Sequence, residues 1–213
     1  MSVVPNRTSS RTLLRACAFV PLLGCALAGL TPLTAGVATK AVADFSSAAC
    51  YSLATGTISL PAASDPEGLD KEIKAVEEMG LTYGVPGRVT AQLGRAGGML
   101  VSQATMGSKS VAGGDIVLAV GGVQPGCRIL LLADPDPGLA DAVAVDLSRN
   151  GWRAIPAMTA TRGAITRRGF IRRDGKGTPY LLNLMVLGDE NARLRLFTTV
   201  VRIPPGVALP AGY

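Results

Sequence analysis

The sequence predicts an α+β fold in which a mostly antiparallel sheet of about six or seven strands carries two helices. Two amphipathic helical segments with clear start and stop signals support this fold, and so do the hairpin-like strands that follow each of them. The third observation is composition, since 48% of the 213 residues are hydrophobic and only 17% are charged. About 170 residues outside the N-terminal stretch suffice for one core, so we expect a single domain.

The N-terminal residues follow the order of a secretory signal. Three arginines precede residues 16–38, which carry no charge, and no acidic residue occurs before the predicted cleavage site. Ala41-Val42-Ala43 offers an A-x-A cleavage site, and residues 36–38 offer a weaker one. We therefore predict a signal peptide at residues 1–43 and a single exported domain at residues 44–213, periplasmic or secreted.

Two alternatives for the N-terminal segment stay open. Leu22-Leu23-Gly24-Cys25 resembles the lipobox of bacterial lipoproteins, in which the cysteine is lipidated, so Cys25 is a candidate lipidation site. Residues 16–38 are also long enough to remain as a membrane anchor, because one bilayer crossing takes about 20 residues. Either alternative tethers the domain to the membrane, facing the periplasm.

The cysteines point to an oxidising compartment. Cys17 and Cys25 lie in the predicted leader, which leaves Cys50 and Cys127 in the exported domain. Two cysteines in such a compartment most often pair, so we predict a disulfide that closes a loop of 77 residues. The alternative is a pair of buried free thiols.

The first half of the exported chain predicts a strand, a helix and a hairpin. Residues 51–60 are rich in β-type side chains and indicate a strand. Start and stop signals delimit an amphipathic helix over residues 65–81. Residues 98–105 and 115–120 are expected to form two strands, separated by a flexible loop at residues 106–114.

The second half is more strongly patterned. The apolar run at residues 129–132 predicts a buried strand, and residues 136–152 predict an amphipathic helix that ends at Asn150-Gly151. Three further strands are predicted at residues 164–173, 179–187 and 193–203. In the last strand we expect Leu194 and Leu196 to point inward and a bulge near Phe197.

The two helical segments suggest an internal duplication. Residues 65–81 and 136–152 have the same length, open with Asp-Pro and end with glycine followed by a large apolar residue. Each follows a segment headed by a cysteine. We expect two degenerate strand–helix–hairpin repeats. The alternative is that Asp-Pro and glycine are common helix boundary signals and that the match arises by chance.

Catalytic motifs are scarce in this sequence. The chain has no histidine, which excludes Ser-His-Asp and Cys-His catalysis and imidazole metal sites. We predict no catalytic residue, no cofactor and no metal site. The alternative function is a hydrolase or transferase that uses carboxylates such as Asp134 and Asp136. With Asp141 these carboxylates are also candidate ligands of a hard cation, although caps and turns explain them.

Basic residues concentrate in one predicted hairpin. The candidate binding residues are Arg167, Arg168, Arg172, Arg173 and Lys176, with Arg162 nearby. Because side chains alternate along a strand, Arg168 and Arg172 are expected to point to one face of the sheet. Arg167 and Arg173 are expected on the other.

Charge restricts the function further. Four of the 21 basic residues precede residue 44, so residues 44–213 hold 17 against 15 acidic ones, a net charge of only +2. A net charge this small does not favour binding to nucleic acid. Our leading hypothesis is a non-enzymatic exported envelope protein that binds a protein partner through the sheet or the basic hairpin. An anionic envelope component is the alternative ligand.

Overall fold

The fold is α+β, as predicted, with one eight-stranded antiparallel sheet and five α-helical segments among the described residues. The computed structural model describes residues 31–61, 66–122, 126–188, 193–210 and 212–213, without the side chains of residues 31–35 and 96. Residues 1–30, with Cys25 and most of the predicted leader, lie outside this part. The sheet and the helix set are both larger than predicted.

One long helix opens the described chain. The α-helices are α1 (Thr31–Phe45), α2 (Tyr51–Thr55), α3 (Pro66–Glu78), α4 (Gly87–Val101) and α5 (Leu139–Arg149). A π-helical turn over Ser46–Cys50 joins α1 to α2, and we call the resulting helix over residues 31–55 the N-terminal helix. It ends where Gly56 adopts a φ of 75°, the left-handed conformation that commonly terminates helices.

The sheet consists of two similar halves. Its strands are β1 (Thr82–Tyr83), β2 (Thr105–Val111), β3 (Gly114–Val120), β4 (Cys127–Ala133), β5 (Arg153–Arg162), β6 (Ile165–Arg173), β7 (Pro179–Leu187) and β8 (Leu194–Arg202). They lie in the order β1-β2-β3-β4-β8-β7-β6-β5. The halves meet at β4 and β8, and each starts at an edge strand that follows a helix, α3 before β1 and α5 before β5. Each half therefore has a helix before its four strands, but α4 separates β1 from β2 in the first half only, and the internal duplication stays a prediction.

The N-terminal helix crosses the boundary predicted between leader and domain. Ala38, Val42 and Ala43 are 2%, 0% and 0% exposed and belong to the main core cluster. The compact unit begins at Thr31 rather than at residue 44. The start of the folded unit therefore does not coincide with the predicted boundary, whereas the leader itself stays a prediction. No helix in the described part of the chain is long and apolar enough to cross a membrane.

The sheet has a helical face and an opposite face. The helical face carries the N-terminal helix, α3 and α5. On this face, Val76 of α3 lies so close to Gly107 of β2 that a Cβ there would come within 2.5 Å. On the opposite face, α4 packs on β3, β4 and β8 through Val89 and Leu93. At β5 and β6, C-terminal residues, including Tyr213, cover the opposite face.

Tertiary packing overrides local propensity at residues 51–60, where the predicted strand was wrong. The segment begins as helix α2. The ring of Tyr51 packs edge-on against Trp152 and Tyr180, with ring centroids 5.7 and 5.2 Å away. These aromatic contacts hold the segment in its helical form, although its β-type residues favour a strand.

Helix α4 replaces the strand predicted at residues 98–105. The helix is rich in glycine, which disfavours helices by about 1 kcal/mol per residue. Gly94, with a φ of 61°, breaks it into two helical parts. Residues 106–114, predicted to be a loop, lie mostly in β2.

The bulge predicted near Phe197 lies two residues earlier. Along β8, β4 pairs with Leu196 and then directly with Leu194, which leaves Arg195 as the extra residue. Leu194 and Leu196 consequently pack on opposite faces of the sheet, and not both inward. The Nε of Arg195 donates a hydrogen bond to the carbonyl oxygen of Ala133 at 3.2 Å.

The predicted disulfide is confirmed. Cys50 and Cys127 are bonded, with their Cα atoms 5.2 Å apart, and both residues are buried. The bond ties the N-terminal helix to the central strand β4.

Gly107→Ala should lower the free energy of unfolding by about 1–3 kcal/mol, because the new methyl group would overlap Val76. Gly98→Ala is the matched control. Gly98 lies within α4, and a methyl group added there would meet no atom within 4 Å, so alanine should stabilise the protein by up to about 1 kcal/mol. Urea denaturation measures both changes, and equal changes of the same sign would contradict this packing.

Replacing both Cys50 and Cys127 by serine should cost up to about 4–5 kcal/mol of unfolding free energy, because the closed loop of 77 residues is lost. Chemical denaturation with and without a reducing agent measures this cost. The reductant should destabilise the native chain and leave the double variant unchanged. A native chain that is insensitive to reduction would contradict the assignment.

Candidate interaction surface

In the half of the sheet formed by β5, β6, β7 and β8, every charged residue of the strands is basic, and we call it the basic half-sheet. Its four strands contain eight arginines and no acidic residue. The arginines are Arg153, Arg162, Arg167, Arg168, Arg172, Arg173, Arg195 and Arg202. All 15 acidic residues of the chain therefore lie outside these strands. Asp174, Asp189 and Glu190 lie in the connections between these strands, so the excess of positive charge belongs to the strands themselves.

The structure distributes the predicted hairpin residues over both faces, as side-chain alternation predicts. Arg172 pairs across strands with Tyr180, which belongs to the core of the helical face. Arg167 pairs with Met185 on the opposite face, where Met185 in turn pairs with Phe197. Directly paired residues share a face. The five candidate residues therefore do not form one patch.

On the helical face, two arginines are engaged in packing. The Nη1 of Arg168 lies 2.8 Å from Oδ1 of Asp141 on α5, and its side chain is only 25% exposed. The guanidinium carbon of Arg172 lies 4.1 Å from the ring centroid of Tyr51. Burial raises the pKa of Tyr51, while Arg172 acts in the opposite sense, and the net shift is upward. The ring therefore stays neutral beside the cation, and both arginines hold helices to the sheet.

On the opposite face, the arginines are exposed to solvent. Arg167 donates a hydrogen bond from Nη2 to Oδ1 of Asn183 at 3.0 Å, and Arg173 donates one to the carbonyl oxygen of Gly177 at 2.8 Å. Arg162 is also exposed. None of these three forms an ion pair among the described residues. Their charges therefore remain available to a ligand.

Partly exposed apolar side chains lie between these arginines. Ile165 is 41% exposed and pairs with Leu187. Met185 and Phe197 are also only partly buried, because α4 covers the sheet up to this point and no further. We define the basic face by Arg153, Arg162, Arg167 and Arg173 together with Ile165, Met185 and Leu187.

Lys176 lies in the tight turn between β6 and β7. Its backbone N–H and that of Thr178 donate hydrogen bonds to Oδ1 of Asp174 at 2.9 and 2.8 Å, and the Tyr180 hydroxyl donates to Oδ2 at 3.4 Å. Desolvation raises the pKa of Asp174, but these hydrogen bonds outweigh it, so the pKa is lowered overall. The ionised carboxylate fixes the turn and presents Lys176 to solvent.

A cavity of about 710 Å³ lies between α5 and β5 on the helical face. Val145 of α5 and Pro156 of β5 line its walls, and Arg168 and Phe170 of β6 line its floor. It opens where the pairing of β5 with β6 shifts register between residues 155 and 160. Asp141 also lines the cavity, so the ion pair between Asp141 and Arg168 forms part of its surface.

The carboxylates of the alternative catalytic hypothesis, Asp134 and Asp136, both have polar partners in the structure. Asp134 is 85% exposed and pairs with Arg193, and Oδ1 of Asp136 accepts the backbone N–H of Gly138 at 2.8 Å. Neither lines the cavity beside α5. The described residues contain no group of three or more potential metal ligands. The geometry gives Asp136 a role in the turn before α5 and Asp134 a role in an exposed ion pair.

No protein family model, no curated protein and no solved structure matches this chain. Sequence reasoning found the basic hairpin but missed that the neighbouring strands β7 and β8 add no acidic residue to it. A count of charges strand by strand would have found this signal.

The two arginine pairs should respond differently to substitution. Replacing Arg168 and Arg172 together by serine should lower the free energy of unfolding by about 1–2 kcal/mol, because an ion pair and a cation–π contact are lost. The matched change of Arg167 and Arg173 to serine should leave it within about 0.5 kcal/mol. Thermal denaturation compares the two variants, and equal destabilisation would contradict the division between faces.

Proposed function

We propose that this protein is exported and acts in the cell envelope by binding an acidic protein partner on its basic face. The observation that carries the proposal is that Arg162, Arg167 and Arg173 of the basic face are exposed and form no ion pair among the described residues. Arginines without ion-pair partners on an exposed face are available for charge-assisted hydrogen bonds to carboxylates.

The apolar side chains of the basic face favour a protein over a simple anion. Ile165 is 41% exposed, and Met185 and Leu187 are partly exposed beside Arg167. Protein interfaces are enriched in arginine, methionine and aromatic residues, with apolar contacts at the centre and charges at the rim. An acidic partner with apolar side chains between its carboxylates complements this arrangement.

A second copy of the same face fits poorly. Pairing two basic faces would bring their arginines together, and juxtaposed like charges cost several kcal/mol, roughly. The exposed arginines at both ends of β5, Arg153 and Arg162, also disfavour edge-to-edge pairing of two sheets. These charges support a different, acidic protein as the partner.

Two features support export. The N-terminal sequence has the order of a secretory signal, and disulfides such as Cys50–Cys127 persist mainly in oxidising compartments. Lipidation of Cys25, which would attach the protein to the membrane, is compatible with this proposal.

Replacing Arg167 and Arg173 by serine should reduce capture of the partner from a solubilised envelope fraction at least about tenfold, because two exposed charges are lost. Quantitative mass spectrometry of proteins retained by the immobilised native chain and the variant measures this. The captured protein should be acidic, and raising the salt concentration should weaken its retention, since exposed charges are screened.

The control variant replaces Lys71 and Lys74 by serine. Both lysines are exposed on α3, at the other half of the sheet. Their replacement removes two positive charges, as does the replacement of Arg167 and Arg173. Their loss should leave capture unchanged. Equal capture by the native chain and the Arg167/Arg173 variant would refute binding at the basic face.

A further inference from the structure

The first half of the N-terminal helix is an integral part of the core. Val42 and Ala43 are 0% exposed and Ala38 is 2% exposed. They share one cluster with Val143 and Leu147 of α5, and α1 also contacts β3 and β4. Ala38, Val42 and Ala43 all precede position 44 and are therefore part of the core of the domain.

Polar contacts fix the same stretch to α5. The Thr39 hydroxyl donates a hydrogen bond to Oδ2 of Asp146 at 3.3 Å, and Thr39 is 1% exposed. The side-chain amide of Asn150 donates to Oδ1 of Asp44 at 3.0 Å. Thr39 and Asp44 lie on the two sides of the predicted cleavage point after Ala43. Both are thus hydrogen-bonded to α5 or to the residue that caps its C-terminus.

Both predicted cleavage sites, after Ala43 and after Ala38, lie within α1. Cleavage after Ala43 would remove Ala38, Thr39 and Val42 from the core, and cleavage after Ala38 would remove the first half of α1. Cleavage after Ala43 would strip the apolar surfaces of α5 and the sheet of buried side chains, with a large loss of stability, whereas cleavage after Ala38 would remove the buried Ala38 and the start of α1.

A retained anchor conflicts with the same observation. An anchor of about 20 residues that starts at residue 16 would have to include residues 31–35, which already belong to α1, three residues before the buried Ala38. The remaining residues, 16–30, are fewer than the roughly 20 that a crossing requires. They do suffice for the apolar core of a signal peptide, which takes about 7–15 residues.

We infer that the leader is removed by cleavage within residues 16–30, so that all of α1 belongs to the mature exported protein. The inference rests on the export proposed above. Hydrolysis of one peptide bond in this window leaves at most a short segment before Thr31. Cys25 lies in the window, and the long apolar stretch is explained as a leader core followed by the first turns of a core helix.

Peptide mapping of the protein exported from the full-length gene tests this inference. Trypsin cuts after Lys40, so the mature N-terminus should appear as a peptide that ends at Lys40 and begins between residues 17 and 31. A first peptide that begins at residue 39 or 44 would overturn the inference and leave export standing. An uncut chain retained in the cytoplasm would overturn both.

A pair of substitutions in the full-length chain gives a second readout. Val42→Ala should lower the Tm of the exported protein by about 5 °C, because a buried side chain loses two methyl groups. Val37→Ala, at a position 47% exposed, should leave the Tm unchanged. If the helix were removed on export, Val42→Ala would have no effect on the Tm, and that result would overturn the inference.

Discussion

The N-terminal helix, fixed across the junction of the two sheet halves, is the constraint on which the rest of the structure depends. Its Cys50 is bonded to Cys127 of β4, and its Ser46 hydroxyl lies 2.7 Å from that of Thr198 on β8. β4 and β8 are the strands at which the halves meet. A single helix thus ties together strands that are far apart in sequence, while Ser47 accepts a hydrogen bond from the indole N–H of Trp152 at 3.0 Å.

This placement leaves the two faces of the sheet unequally covered. The N-terminal helix, α3 and α5 together cover the helical face, where Arg168 and Arg172 become packing residues. The opposite face has α4 at one end and the C-terminal residues at the other. Arg167 and Arg173 of the basic face are exposed on either side of Ile171, which the C-terminal residues cover. The location of the proposed binding surface therefore follows from how the helices are distributed.

The sequence predicts the elements with strong local signals and misses those that depend on distant contacts. Within the helix predicted at residues 136–152, Leu139–Arg149 is helical, because Leu139, Val143 and Leu147 form one apolar stripe. The disulfide was predictable because an oxidising compartment was expected and the predicted domain contains two cysteines. α4 was not, because Gly94 interrupts it, and α2 was not, because Tyr51 is held by rings from other parts of the chain. At the candidate site, the alternation of side chains along a strand correctly predicted which face each arginine occupies. Which arginines are engaged in packing is visible only in the structure, where Asp141 and Tyr51 contact Arg168 and Arg172.

The most direct test of the central constraint is amide hydrogen exchange of the mature protein. If the N-terminal helix fixes the junction, amides of residues 38–50 should exchange in the same slow class as those of β4 and β8. Amides of α3 and of the edge strand β5 should exchange faster, since both lie at the margins of the sheet. Exchange of residues 38–50 as fast as that of β5 would contradict the account, because the helix would then open without the sheet.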